Sequence, residues 1–353
     1  MGSAVTRKGG PVFYPRQVAL LGISIVVTAG QAFAAELSVP QQYPTIQSAI
    51  DAAPPDATIL VSPGTYRENL SISRPVSLRS VGGSADTVID GGRVAPVIVA
   101  RGTGPERISV SGFTITNGYH AHFGYAGGIH LESVVAEILD SVVRENVGCV
   151  GSGISTLTAA VSIQRNRIAE NVQDAACEGT VGGGIFLNRD GLVPSLVANN
   201  LVTGHRAGRG AGIAAQGMAQ LTIRENLITG NQTSEGGYGG GILIDVASAV
   251  ISGNVLYGNS ADVGGAMALL PADNGNSIVL TGNVMGGNQA ALQGSALYLL
   301  SVRFQMTRNV IEGHSATALV QCDASPLLTV PANNRLRNGD GPEVSDCVWR
   351  SAH

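Results

Sequence analysis

The feature that most narrows what this chain can fold into is a glycine-rich motif that recurs across residues 126–299. The copies read AGGIHL (from 126), GSGIST (151), GGGIFL (182), GAGIAA (210), GGGILI (239), GGAMAL (264) and GSALYL (294). The apolar residue after the small ones falls at Ile129, Ile154, Ile185, Ile213, Ile242, Met267 and Leu297, in steps of 25 to 31 residues. A second series interleaves with it: ENLITGN, GNVLYGN, GNVMGGN and RNVIEGH. It places Asn226/Asn231, Asn254/Asn259, Asn283/Asn288 and Asn309/His314 five apart, with earlier copies at Asn166/Asn171 and Asn200/His205. Two series with the same variable step mark an array of similar units.

Between the markers lie short alternating stretches such as Leu221–Ile223 and Leu227–Ile228, which are strand patterns. Each unit therefore reads as one coil of three short strands. Asn sits at the bend, where it tolerates left-handed backbone and can bond the equivalent amide of the next coil; Asn166, Asn200, Asn226, Asn254, Asn283 and Asn309 form the expected ladder. One coil cannot bury its own apolar face, so coils must stack, strand on parallel strand. Roughly ten coils at about 4.8 Å give a rod near 50 Å long. A leucine-rich repeat would show Leu-rich helical stretches, and none occur.

Composition agrees. Charged residues are 13%, aromatics 4%, and glycine is 48 of 353, which suits many short strands and tight turns. The N-terminus reads as an export signal over 1–34: Arg7, Lys8 and Arg16, then the apolar run VALLGISIVVTAG, then Ala-Phe-Ala at 32–34. Cleavage after Ala34 removes three basic residues, taking the formal charge from −4 to −7, and removes Lys8, the sole lysine. An acidic, lysine-free chain argues against nucleic-acid and anionic-membrane partners. It also excludes a lysine base.

Four cysteines in an exported chain suggest disulfides, with three pairings open. Cys149 and Cys177 occupy equivalent loops of adjacent coils, so stacking predicts Cys149–Cys177. Cys322 and Cys347 both follow the last repeat and are expected to staple a C-terminal cap.

The segment YPTIQSAIDAAPPDATILVSPGTYRENLSISRPVSLRSVGG (43–83), followed by TVIDGG (87–92), resembles the opening of right-handed parallel β-helix proteins of the pectin-lyase-like superfamily. Pectinesterases and the carbohydrate-binding/sugar-hydrolase β-helix repeat proteins open this way. The repeats also resemble those of bacterial surface β-helix proteins. The resemblance implies an amphipathic cap helix with Ile46, Ala49 and Ile50 on one face. The residues agree, since Thr45 is a suitable N-cap and Pro54–Pro55 stop the helix. The expected architecture is all-β: a right-handed parallel β-helix solenoid over 35–320 with an N-terminal cap helix, and a disulfide-stapled C-terminal cap over 321–353.

The superfamily's chemistry finds no complete match. The pectinesterase segments GYQDTL and DFIFG are absent, as are the aspartate clusters of polygalacturonases. A lyase base would have to be His or Arg. No metal or cofactor is expected, and a Ca²⁺ role rests on no motif.

The segment NGYHAHFGYAGGIHLES (117–133) holds three of the six histidines. On the repeat alignment, residues one and three after each Ile point away from the interior, which sets His130 and Glu132 on one outer face about 7 Å apart. They are the candidate catalytic pair, read more simply as an exposed polar pair. Asn188, Gln216 and Asp245 continue the column, with Asp245 near 19 Å from His130, a spacing that suits extended ligand binding. His120 and His122 can ligate metal but read as loop histidines. Tyr119, Phe123 and Tyr125 form a sugar-stacking platform or close one side of the coil. Arg206 and Arg209 receive carboxylates or decorate a surface loop.

The favoured reading is an exported protein, periplasmic or extracellular, that binds or also processes a polysaccharide, with acidic glycans the expected class. The alternatives are a non-catalytic, adhesin-like scaffold for a cell-surface protein partner, and a polysaccharide lyase or esterase with an atypical site at His130 and Glu132.

Overall fold

A computed structural model describes residues 1–2, 9, 35–102, 107–120, 126–177, 179–188, 194–218, 220–245, 247–270, 277–314, 317–323, 327–329, 333–338 and 343–350. The coils lie in the unit Ala34–His353. They form a parallel β-solenoid whose strands stack in sheets of thirteen, eleven, eleven and seven. One coil shows the pattern. Ile129–Glu132 belongs to the first eleven-stranded sheet, Val135–Leu139 to the thirteen-stranded sheet, Val142–Arg144 to the second eleven-stranded sheet, and Val147–Gly148 to the seven-stranded sheet. Parallel strands joined by such crossovers wind right-handed.

The register follows the repeat. Ile129, Ile154, Ile185, Ile213, Ile242, Met267, Leu297 and Val320 pair in succession. The glycine before each Ile is needed because coils approach closely there. A Cβ on Gly184 would lie 2.6 Å from the Gly212 carbonyl oxygen. Ile, Val and Leu from three sheets fill the interior, from Leu37 to Cys322.

The N-terminal end is closed by the helix Ile46–Ala52, which buries Ile46, Ala49 and Ile50. Thr45 caps it in a reciprocal box with Ser48. The Glu68 carboxylate accepts from the Ile46 and Gln47 N–H groups, both at 2.9 Å, tying the cap to the first coils. Disulfides join Cys149 to Cys177 and Cys322 to Cys347, with Cα–Cα distances of 5.5 and 4.9 Å.

Two details differ from expectation. Seven consecutive coils have a fourth strand, two residues long in five of them, and these form the seven-stranded sheet. And the left-handed residue at each bend is the one before the ladder position. Asp140, Arg165, Asn199, Glu225, Gly253, Gly282 and Arg308 precede the first ladder, and Glu145, Glu170, Gly204, Gly230, Gly258, Gly287 and Gly313 precede the second; all have φ between 49 and 71°. The ladder residue is selected for its amide, not for its backbone. Asn200 shows how: its Nδ2 donates to Asn226 Oδ1 at 3.0 Å and to the Ile163 carbonyl at 2.8 Å, and its Oδ1 accepts from Asn166 N at 2.9 Å. Buried amides so bonded leave no polar group orphaned.

Candidate functional site

The residue after each Ile points away from the solenoid interior, as expected, but it does not reach solvent. His130, Ser155, Phe186, Ala214, Leu243, Ala268 and Tyr298 are all at most 6% exposed. The chain leaving the seven-stranded sheet folds back over this face. Cys149, Val150, Cys177 and Val263, with partly buried Val181 and Tyr238, cover the column and make a second apolar layer. Gly151, at φ 56°, permits the return; a Cβ there would sit 2.4 Å from the Ile154 carbonyl oxygen. The expectation of an exposed His130 is corrected: the side chain is 1% exposed. A signal was present in the sequence, since the other members of this column are mostly small or apolar, unlike a solvated face.

His130 lies in that layer with defined partners. Its Nδ1 is 2.8 Å from Ser155 Oγ, and Ser155 Oγ accepts from the Ala126 N–H at 2.9 Å. Its Nε2 lies 3.7 Å from Glu132 Oε2, and Arg101 Nε binds the same oxygen at 2.9 Å. Arg101 is the paired residue of Glu132 on the preceding coil. Burial holds the imidazole down to about 4; the Glu132 charge opposes this, and Arg101 and His120 reinforce it. The neutral ring joins hydroxyl, imidazole and carboxylate in the order of a nucleophilic triad. Ser155, however, is 1% exposed and already bonded to backbone, so a substrate carbonyl has no route to it.

The residue three after each Ile is what reaches the surface. Glu132, Leu157, Asn188 and Asp245 are partly exposed and Gln216 is exposed. Asn188, Gln216 and Asp245 pair in register on three consecutive coils. Opposite them stand Val150, Val181 and Arg209, bridged in parallel. The groove between holds about 360 Å³ where Leu157, Phe186, Asn188 and Gln216 meet Val150 and Val181. Further along, the Arg209 guanidinium lies 5.7 Å from the centre of the Tyr238 ring. Tyr238 in turn is 6.0 Å from Tyr298, whose hydroxyl donates to Asp323 at 2.7 Å. Gln216 Nε2 donates to Asp245 Oδ2 at 3.3 Å. Burial raises the Asp245 carboxyl above its ordinary range, opposed by the Arg209 charge and the Gln216 bond.

The other candidates are placed elsewhere. Tyr119 and His120 form a two-residue strand of the seven-stranded sheet, paired with Val147 and Gly148; the Tyr119 phenol bonds Asp174, which raises it. Arg206 lies on that sheet's exposed face between Val172 and Gln232, so Arg206 and Arg209 do not converge. His122 and Tyr125, with Phe123, lie outside the described residues. His205 stands in the second ladder, fully buried, accepting from Asn171 N–H at 3.2 Å through Nδ1 while Nε2 lies 3.0 Å from the Ile168 carbonyl. Arg101, Tyr238 and Tyr298 were missed as site residues. Arg101 was readable as three after Ile98, and Tyr238 stands directly before GGGILI. Among the described residues no group of three or more His, Cys, Asp or Glu is placed to hold a metal, and no helix is long and apolar enough to cross a membrane.

No family model and no curated protein matches the sequence. Among solved structures, an alginate lyase from Paenibacillus sp. str. FPU-7 is similar over 88% of this chain and 98% of its own, with 16% identity and a TM-score of 0.50. A lidless DFA-IIIase from Arthrobacter chlorophenolicus A6, in complex with GF2, covers 90% and 99% at 13% identity and a TM-score of 0.46. The PL6 family alginate lyase AlyGC covers 91% and 53% at 16% identity and a TM-score of 0.43. The shared fold is a parallel β-helix. At these identities the likeness is one of fold.

Proposed function

We propose that this chain is an exported glycan-binding β-helix whose ligand lies lengthwise in the groove beside Asn188, Gln216 and Asp245. The observation that carries the reading is the in-register row of these three side chains facing a wall that ends in Arg209 and Tyr238. Amides and a carboxylate bond hydroxyls, and an aromatic face packs on a sugar ring. The shared fold with a polysaccharide lyase fits a carbohydrate ligand. Two disulfides fit an oxidising compartment.

Binding without turnover is the form the geometry favours. Among the described residues, Asp245 and Asp323 are three coils and about 14 Å apart, and Glu132 and Asp245 four coils and about 19 Å apart, both beyond the roughly 5–9.5 Å that paired carboxylates need. His130 and Ser155 are buried. A protein-scaffold reading draws on one observation of its own: Leu227, Val255 and Val284 form a row about 40% exposed on the second eleven-stranded sheet.

A glycan array with the wild type and with Asn188→Ala and Tyr238→Ala tests the reading. The wild type is expected to bind a linear glycan and each variant to lose about tenfold, roughly 1.4 kcal/mol. A wild type that binds no glycan overturns it.

A further inference from the structure

We infer that the groove selects a linear neutral glycan, laid along the stacking axis, over an acidic one. This rests on the glycan-binding reading above and names the class within it. It reverses the expectation of an acidic ligand that the superfamily resemblance encouraged.

Among the described residues, the groove's fixed charges come from five side chains. Arg101 is held by Glu132 at 2.9 Å. Arg209 lies over Tyr238 and within the field of Asp245. Asp323, at the far end, accepts from Tyr298. These three carboxylates face two guanidiniums, so the described part of the groove is net negative. His130 adds no positive charge at neutral pH, since burial holds it near 4. A uronic-acid polymer carries a carboxylate on every unit and needs a cation, best a bidentate arginine, at each. Three consecutive coils instead offer Asn188, Gln216 and Asp245, two neutral amides and an anion.

The same row suits hydroxyls. Asn188 and Gln216 each both donate and accept, and Asp245 accepts. Coils repeat at about 4.8 Å, a spacing comparable to one sugar in an extended chain, so successive units can meet successive side chains. Tyr238, partly buried with Arg209 over its ring, stands at the end of the row.

The test is titration calorimetry on the full disulfide-bonded protein with hexasaccharide pairs matched in linkage: glucan with glucuronan, mannan with mannuronan, galactan with galacturonan. A neutral member is expected to bind, with affinity changing less than about twofold between low and high salt, and its acidic counterpart about tenfold more weakly at low salt. Asp245→Asn, checked for an unchanged melting profile, is expected to narrow that gap by strengthening the acidic member. An acidic member that binds more tightly than its neutral partner, with affinity that falls as salt rises, overturns the inference and leaves glycan binding standing. If no member of any pair binds, the glycan reading itself fails.

Discussion

His205 and His130 are both buried, and burial holds both imidazoles down to about 4. They differ in what surrounds them. His205 replaces an asparagine in a ladder and bonds only backbone, at Asn171 and Ile168. His130 sits in the second apolar layer against a hydroxyl, with Glu132, Arg101 and His120 acting on it. A depressed pKa alone therefore does not mark a functional site. The identity of the perturbing groups does: a histidine among backbone groups is a structural part, and one among ionisable side chains that lead to the surface is connected to the groove.

The largest predicted effect separates the two positions. His205→Leu leaves the Asn171 N–H and the Ile168 carbonyl buried without partners, and urea denaturation should show a loss of about 4 kcal/mol. His205→Asn restores the residue its neighbours carry and should stay within about 1 kcal/mol of wild type. Equal losses for both variants would contradict the ladder role.

The next effect is on pH. Both histidines have folded values below the unfolded value near 6.5, so folding favours their neutral forms. Their stabilising contribution is complete above pH 6.5 and is lost progressively as pH falls toward about 4. For His205 the shift corresponds to about 3 kcal/mol. A urea midpoint followed across this window should drop, and the drop should shrink in His205→Asn. A flat profile would argue that the ring is not buried.

Ser155→Ala removes the acceptor of Ala126 N–H and the partner of His130, so about 2 kcal/mol should be lost in thermal or urea melts. The smallest effect is Glu132→Gln. The Arg101–Glu132 pair is partly exposed and contributes about 0.5 kcal/mol or less. Glu132 raises His130, so its loss should move the His130 midpoint, followed by NMR, further down. An unmoved midpoint would break the link between His130 and the groove.

Much of this molecule could be read from its residues. The coil register from Ile129 to Leu297 and both disulfides follow from spacing, because every coil repeats one local solution, while the helix capped by Thr45 is implied by the resemblance and agrees with its residues. What escaped has physical causes. The left-handed bend residue is Asp, Arg, Asn, Glu or Gly in different coils, so no residue type betrays it. The layer over His130 comes from loops such as Cys149–Val150 and Val181, whose return over the sheet no periodicity encodes. Arg206 and Arg209, three apart in sequence, do not converge because Arg206 is on a strand of the seven-stranded sheet while Arg209 lies past it, bridged to Val181.

The most direct test of where a ligand lies sets two surfaces against each other. Gln216→Ala alters the groove, and Arg206→Ala alters the exposed face of the seven-stranded sheet. With the tightest-binding hexasaccharide as probe, calorimetry should show affinity falling about tenfold in Gln216→Ala and unchanged in Arg206→Ala. Loss confined to Arg206→Ala would contradict the account and move the ligand to the other face.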